Sequence, residues 1–396
     1  MLNKKFPKDF LWGVAVSGHQ TEGDNKNSDW YVWEKRGKIS DGSTSGQACD
    51  FYHRYQADID LAVKLNLNAF RLGIEWSRLE PREGEFDQKA IEHYKNILFY
   101  LKQKKLKVFL TLWHFTLPQW LAERGGWKNK RSVFYFNRYL EKIIEQFFGL
   151  VNFWVTLNEP VMYAGSAYLA GLWPPQKSNF FSFWRTVQHL GQAHCQAYQT
   201  IHQKIPKAQV GIAKNIVYFH SPKNPFDHQL AMIFNFFYNK LFYRLTKKHH
   251  DFIGLNYYYS YLVSNLRIIK KIRRVAVRLL RKKDLSVEIY PKGIYRAMKM
   301  FQKFKLPIYI TENGLDDKTD GKRINFIKEH LEWLDYGLKK GIDLRGYLHW
   351  SLIDNFEWQD GFEPKYGLIE IDYQTQERKP RQSAEFYSQI AKENGF

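Results

Sequence analysis

Short runs of β-branched and aromatic residues recur along the chain, separated by longer stretches in which apolar side chains return every three or four positions. The short runs predict strands over residues 10–16, 68–74, 107–113, 152–157, 209–215, 251–257, 307–311 and 344–351. The longer stretches predict amphipathic helices, among them 52–65, 88–104, 133–148, 183–204 and 324–340. Strand and helix in alternation imply a parallel sheet, because parallel neighbours need a crossover between them. Eight such units predict an α/β fold, a single (β/α)8 TIM barrel with its active site at the C-terminal ends of the strands. No Ser/Gly-rich linker or internal repeat divides the sequence, so residues 1–396 read as one domain.

If the barrel is right, functional side chains should gather where strands end. Gln20 follows the first run, Arg71 lies within the second and His114 follows the third. Asn158 and Glu159 follow the fourth, and Asn256 and Tyr258 flank the end of the sixth. Glu312 follows the seventh, and Trp350, Glu357 and Trp358 cluster at and after the eighth.

Composition changes this picture only in places. At 396 residues with 44% hydrophobic content, the chain can bury a large core, and most of its aromatic residues are expected to fill it. Some fall in short motifs, where a flat apolar face with polar edges suits stacking on sugars. Cys49 and Cys195 form no disulfide framework and sit in no metal-ligand spacing. The first ten residues carry lysines without the apolar core of a signal peptide, and no run is long enough to span a membrane. The expectation is a cytoplasmic protein without cofactor or metal. The net charge of +20 is unusual, and much of it sits in residues 266–283, which hold nine Lys and Arg and no acid. In that segment Leu266, Ile269, Ile272, Val275, Leu279 and Leu280 recur at helix-like spacing. Such a segment is expected to cover a barrel wall with its apolar face, to make a weak contact with an anionic membrane surface or another polyanion, or to stay disordered. No nucleic-acid motif accompanies the charge, so nucleic acid is not an expected partner.

The chemistry rests on two carboxylates. Thr156-Leu157-Asn158-Glu159-Pro160 and Ile310-Thr311-Glu312-Asn313-Gly314 each place one glutamate just past an apolar strand. One such residue is as easily a structural partner for an arginine. Two, across a barrel mouth, suit glycosidic cleavage, which needs an anion near the anomeric carbon and a proton for the departing oxygen. Arg71 and Tyr258 are fit to hold Glu312 as the anion. Glu159, ahead of Pro160, has no evident cationic partner and is the better proton donor.

Taken with further motifs, these two make the chain resemble glycoside hydrolase family 1, the β-glucosidase type with a retaining mechanism. The motifs are FLWGVAVSGHQTEG (10–23), FRLGIEWSR (70–78), LTLWHFTLPQWL (110–121), DFIGLNYY (251–258) and GYLHWSLIDNFEWQDGF (346–362). The resemblance runs nearly end to end. It implies Glu159 as acid/base and Glu312 as nucleophile, with Gln20, His114 and Asn158 on hydroxyls of the non-reducing sugar. Glu357, helped by Trp358, is implied to chelate two further hydroxyls, and Trp350 to form a stacking floor. Arg71, Asn256 and Tyr258 are implied to support the nucleophile.

A branch of that family acting on 6-phosphorylated glycosides carries Ser where this chain has Glu357, and Lys where it has Pro364. A carboxylate repels phosphate, so the implied substrates are unphosphorylated β-D-glucosides and related sugars such as β-D-galactosides. The rival reading is a sugar-binding barrel that has lost turnover, and the intact glutamate pair argues against it. One departure stands out. The stretch 215–251 is short for the family, which implies an abbreviated crossover and a wider or more mobile mouth.

Overall fold

The structure, a computed structural model, describes residues 4–221, 225–263 and 287–396. Eight strands form the barrel wall: β1 (Leu11–Val16), β2 (Ala69–Gly73), β3 (Lys107–Thr111), β4 (Phe153–Asn158), β5 (Gln209–His220), β6 (Ile253–Leu262), β8 (Ile308–Asn313) and β9 (Leu344–Trp350). The short β7 (Val287–Glu288) lies outside the wall, antiparallel to β6. All wall pairings are parallel and follow chain order. β9 returns to β1, from Leu11↔Gly346 to Ala15↔Trp350, and closes the ring.

Strand residues are covered on both faces, by the barrel interior and by the helices outside, so they read as unbroken apolar runs. Inside, Phe109, Val155, Phe252, Tyr309 and Leu348 form an apolar plug across the N-terminal half of the barrel. The rings of Phe109 and Phe153 stack 4.1 Å apart, and Phe252 meets Phe109 edge-on at 6.2 Å. Gly211 makes room for this packing, since a Cβ there would lie 2.8 Å from the Phe252 ring. With that end filled, only the C-terminal end is left to open as a pocket.

Outside, each helix turns one stripe onto the strands. Helix Gln88–Gln103 is started by Asp87, whose side chain accepts from the amides of Lys89 and Ala90 at 2.8 and 3.1 Å. It buries Ile91, Tyr94, Ile97, Leu98 and Leu101 at three- and four-residue spacing. Each such side chain contributes about 1.5–3 kcal/mol through its removal from water. Helix Phe180–Lys204 begins three residues before its predicted start, because the Asn179 side chain caps it by accepting from Ser182 N at 2.8 Å.

The main departures from expectation lie at β5 and β6. Both run about five residues longer than their apolar runs suggested, and they continue to pair beyond the mouth, through Tyr218↔Ser260 to His220↔Leu262. Val217, Phe219, Tyr259 and Tyr261 give this ribbon an apolar face. The abbreviated crossover packs on it through Ala231, Leu230, Phe234 and Tyr238. Direct β5–β6 pairing keeps the wall continuous beside the abbreviated crossover, which braces the extension. A second correction follows, since Asn256 and Tyr258 lie within β6 and not at its end. The basic stretch 266–283 falls outside the described residues.

Candidate active site

A pocket of about 700 Å³ opens at the C-terminal end of the barrel. Gln20, His114, Asn158, Glu159, Tyr258, Glu312, Trp350, Glu357 and Trp358 all line it. Arg71 and Asn256, the other two residues singled out from the sequence, are buried behind the carboxylates and do not line it.

Glu312 is the penultimate residue of β8 and only 3% exposed. Arg71 Nη1 reaches its Oε1 at 2.5 Å, and the Tyr258 hydroxyl donates to its Oε2 at 2.6 Å. Both carboxylate oxygens thus meet donors, one of them cationic. Burial, and then the charge of Glu312, lift the Tyr258 phenol well above its ordinary range, so it stays protonated as a donor. Arg71 is held in turn by Thr111 Oγ1 at 3.0 Å, the Thr311 carbonyl at 3.2 Å and Asn158 Oδ1 at 2.7 Å. Gly314, two residues after Glu312, is required by close approach, because a Cβ there would collide with the carbonyl oxygen of Trp350.

Glu159 follows β4 in the left-handed region, at φ 42° and ψ 52°. The left-handed step turns the chain out of the strand, and Pro160, whose fixed φ suits a first helical position, then starts a helix. The Glu159 amide donates to the Ala213 carbonyl at 2.7 Å. Its Oε1 accepts from Asn256 Nδ2 at 2.8 Å and faces Asn215 Nδ2 at 3.4 Å. Neutral amides therefore meet one oxygen of this carboxyl, whereas a guanidinium and a phenol meet the two oxygens of Glu312.

The same network fixes the remaining polar groups. Asn158 Oδ1 accepts from Arg71, which can only donate, so its Nδ2 is the atom 2.8 Å from His114 Nε2. His114 Nε2 is then the acceptor and Nδ1 carries the proton, with no protein partner. Burial, and then Arg71, push the His114 pKa well down, which keeps the ring neutral. Gln20 is fully buried, between Ser17 Oγ and Asn355 Oδ1, each at 2.8 Å. Trp350 Nε1 donates to Glu357 Oε1 at 3.0 Å, and His114 stacks 5.9 Å from Trp358.

Several residues of the site escaped the sequence reading. Asn215 faces Glu159, and Trp173 and Met162 line the pocket from the segment after β4. His19 stacks on Trp358 at 5.6 Å and is held by Glu34 at 2.7 Å. Burial opposes protonation of His19, but the hydrogen bond and charge of Glu34 outweigh it and raise its pKa. Glu159 also has a cationic neighbour after all: Lys214, wholly buried on β5, feels its charge. A lysine inside an apolar strand was the available signal. Among the described residues, no group of three or more His, Cys, Asp or Glu could hold a metal ion. None of the described helices is long and apolar enough to cross a membrane.

A parallel barrel whose mouth pairs one carboxyl directly with a guanidinium and sets another against the amides of two asparagines, beside buried indoles that line the pocket, is built as a glycoside hydrolase. Comparison with known proteins gives the same class. The sequence pattern of Glycosyl hydrolase family 1 matches residues 2–244 and 237–396, and this chain belongs to that family. The two matched stretches overlap within the crossover between β5 and β6. Beta-glucosidase A of Thermotoga maritima is 32% identical, with 99% of each chain covered. A beta-galactosidase of Pyrococcus woesei is 30% identical, with 98% of each covered. The solved beta-glycosidase from Pyrococcus horikoshii superposes with a TM-score of 0.91 at 34% identity, covering 100% of this chain and 96% of its own.

Proposed function

We propose that the protein is a retaining β-glycosidase acting on unphosphorylated β-D-glucosides and β-D-galactosides, with Glu312 as nucleophile and Glu159 as general acid/base. The observation that carries this reading is the unlike surroundings of two carboxyls in one pocket. Arg71 and Tyr258 suit Glu312 to the role of anion. Its oxygen attacks the anomeric carbon as the glycosidic C–O bond breaks, and the departing oxygen takes the proton of Glu159. Water then gives its proton to Glu159 and its oxygen to the anomeric carbon, which releases Glu312 and preserves the configuration. Arg71 and Asn256 act from behind the pocket, each joining the network of the two carboxyls through Asn158.

Gln20, His114, Asn158, Glu357 and Trp358 supply polar groups for sugar hydroxyls, and Trp350 an apolar face. The galactosidase and glucosidase names among the relatives support tolerance at one epimeric hydroxyl. The charges near the pocket favour an unphosphorylated sugar. Glu357 lines the pocket, Lys318 is paired with Glu363 at 3.3 Å, and Lys365 does not line it but lies over Tyr373 at 4.6 Å.

The test is hydrolysis of p-nitrophenyl β-D-glucoside and β-D-galactoside by the wild type and Glu312→Ala, with the anomer first released followed by NMR. Turnover that gives the β-anomer and vanishes in the variant is expected. Release of the α-anomer would refute the double displacement.

A further inference from the structure

Lys214 has no part in the reaction just described, yet it occupies a position that ordinarily takes an aliphatic side chain. Along β5, Ala213 belongs to the plug inside the barrel, whereas Val210, Ile212 and Ile216 belong to the apolar layer beneath the helices. Alternation puts Lys214 on the side of that outer layer, and the side chain is wholly buried. An ammonium in such a place is costly unless its hydrogen bonds and charge are answered. Its Nζ donates to the Asn215 carbonyl at 2.5 Å and lies 4.5 Å from the centre of the Tyr238 ring. The Tyr238 hydroxyl, from the crossover, donates to Asn215 Oδ1 at 2.8 Å. Glu159 Oε1 is an acceptor, as its bond from Asn256 shows, so Nδ2 is the Asn215 atom turned to it and Oδ1 is left for the Tyr238 hydroxyl.

We propose that Lys214 is a positioning residue for Glu159: with Tyr238 it holds Asn215 against the carboxyl and sets a buried ammonium within the same network. This rests on Glu159 being the acid/base of the reaction. The groups that face the pair are Glu159 itself after β4, Tyr238 and Tyr259 beside the crossover, Tyr258 on β6 and Glu312 across the pocket. Burial holds Tyr238 and Tyr258 well above the ordinary phenol range, so neither contributes a charge near neutrality. Burial also draws Lys214 down to about 7, while Glu159 acts to raise it. The cation is therefore present on the acid side of neutrality and fades above it.

The test compares kcat/KM against pH for wild type, Lys214→Met, Lys214→Gln and Tyr238→Phe, on an alkyl β-D-glucoside and on 2,4-dinitrophenyl β-D-glucoside. Loss of the cation should move the alkaline limb to higher pH by about 0.5 unit or more, short of the shift produced by a direct ion pair. The acid limb should stay in place. Tyr238→Phe should lower the alkyl glucoside rate several-fold and spare the dinitrophenyl glucoside, which leaves without a proton. Unmoved limbs in both Lys214 variants, or an equal loss on both substrates in Tyr238→Phe, would overturn the proposal and reduce these residues to packing. Glu159→Gln is run alongside to tell the two failures apart: a spared alkyl glucoside overturns the acid/base assignment and with it the proposal that rests on it, whereas a lost alkyl glucoside with unmoved limbs in the Lys214 variants overturns the role of Lys214 alone.

Discussion

Lys214→Met removes a buried ammonium, and the fold should become more stable by an amount that depends on pH. Burial lowers the folded-state pKa of this lysine from 10.5 to about 7, against the opposing pull of Glu159. Between those two values the unfolded chain binds more protons than the folded one, so stability rises with pH across the window. The penalty is complete below about pH 7 and gone above the unfolded pKa. At 1.36 kcal/mol per unit, the gap corresponds to about 5 kcal/mol. Against this, the variant loses the bond to the Asn215 carbonyl and the contact with the Tyr238 ring, together about 2 kcal/mol. Methionine is of similar length and flexible, so a cavity adds little. The net expectation is a gain of about 3 kcal/mol near pH 6, falling to zero or below by about pH 10. Urea unfolding of both proteins, followed by tryptophan fluorescence across this range, reads the difference directly. A pH-independent difference, or a variant that is less stable at pH 6, would refute the reasoning.

Other consequences follow from the hydrogen bonds of the site. Tyr258→Phe removes the 2.6 Å bond to Glu312; a bond to a charged acceptor is worth about 1.5–3 kcal/mol, so kcat/KM should fall roughly 10- to 100-fold in steady-state assays. A change below twofold would separate that bond from the transition state. Arg71→Met leaves Glu312 and Asn158 without their shared donor in a buried site, and the urea midpoint should drop by the equivalent of about 3–5 kcal/mol, along with loss of turnover. Gly314→Ala drives a methyl group into the Trp350 carbonyl; a stability loss of about 1–3 kcal/mol is expected with impaired kcat, and wild-type kinetics would show that the turn yields freely. Glu357→Ala should raise KM for the glucoside more than it slows the dinitrophenyl leaving group, and an unchanged KM would remove Glu357 from sugar binding.

Local sequence pattern determined the eight-strand order, the helices between the strands and the placing of Glu159 and Glu312 at strand ends. Those features depend on near neighbours: side-chain period, the proline that opens the helix after Glu159, and runs kept apolar by burial on both faces. The pattern could not set where β5 and β6 stop, because a strand continues for as long as a partner answers its amides, and the partner is another strand. For the same reason it placed Asn256 and Tyr258 at the end of β6, when they lie within it. Nor could it show that Arg71 stands behind the pocket, or that Asn215, Lys214 and Tyr238 converge on Glu159 from β5 and the crossover. The surroundings of a charge are made by side chains distant in the chain, and only closure of the barrel brings them within hydrogen-bonding reach.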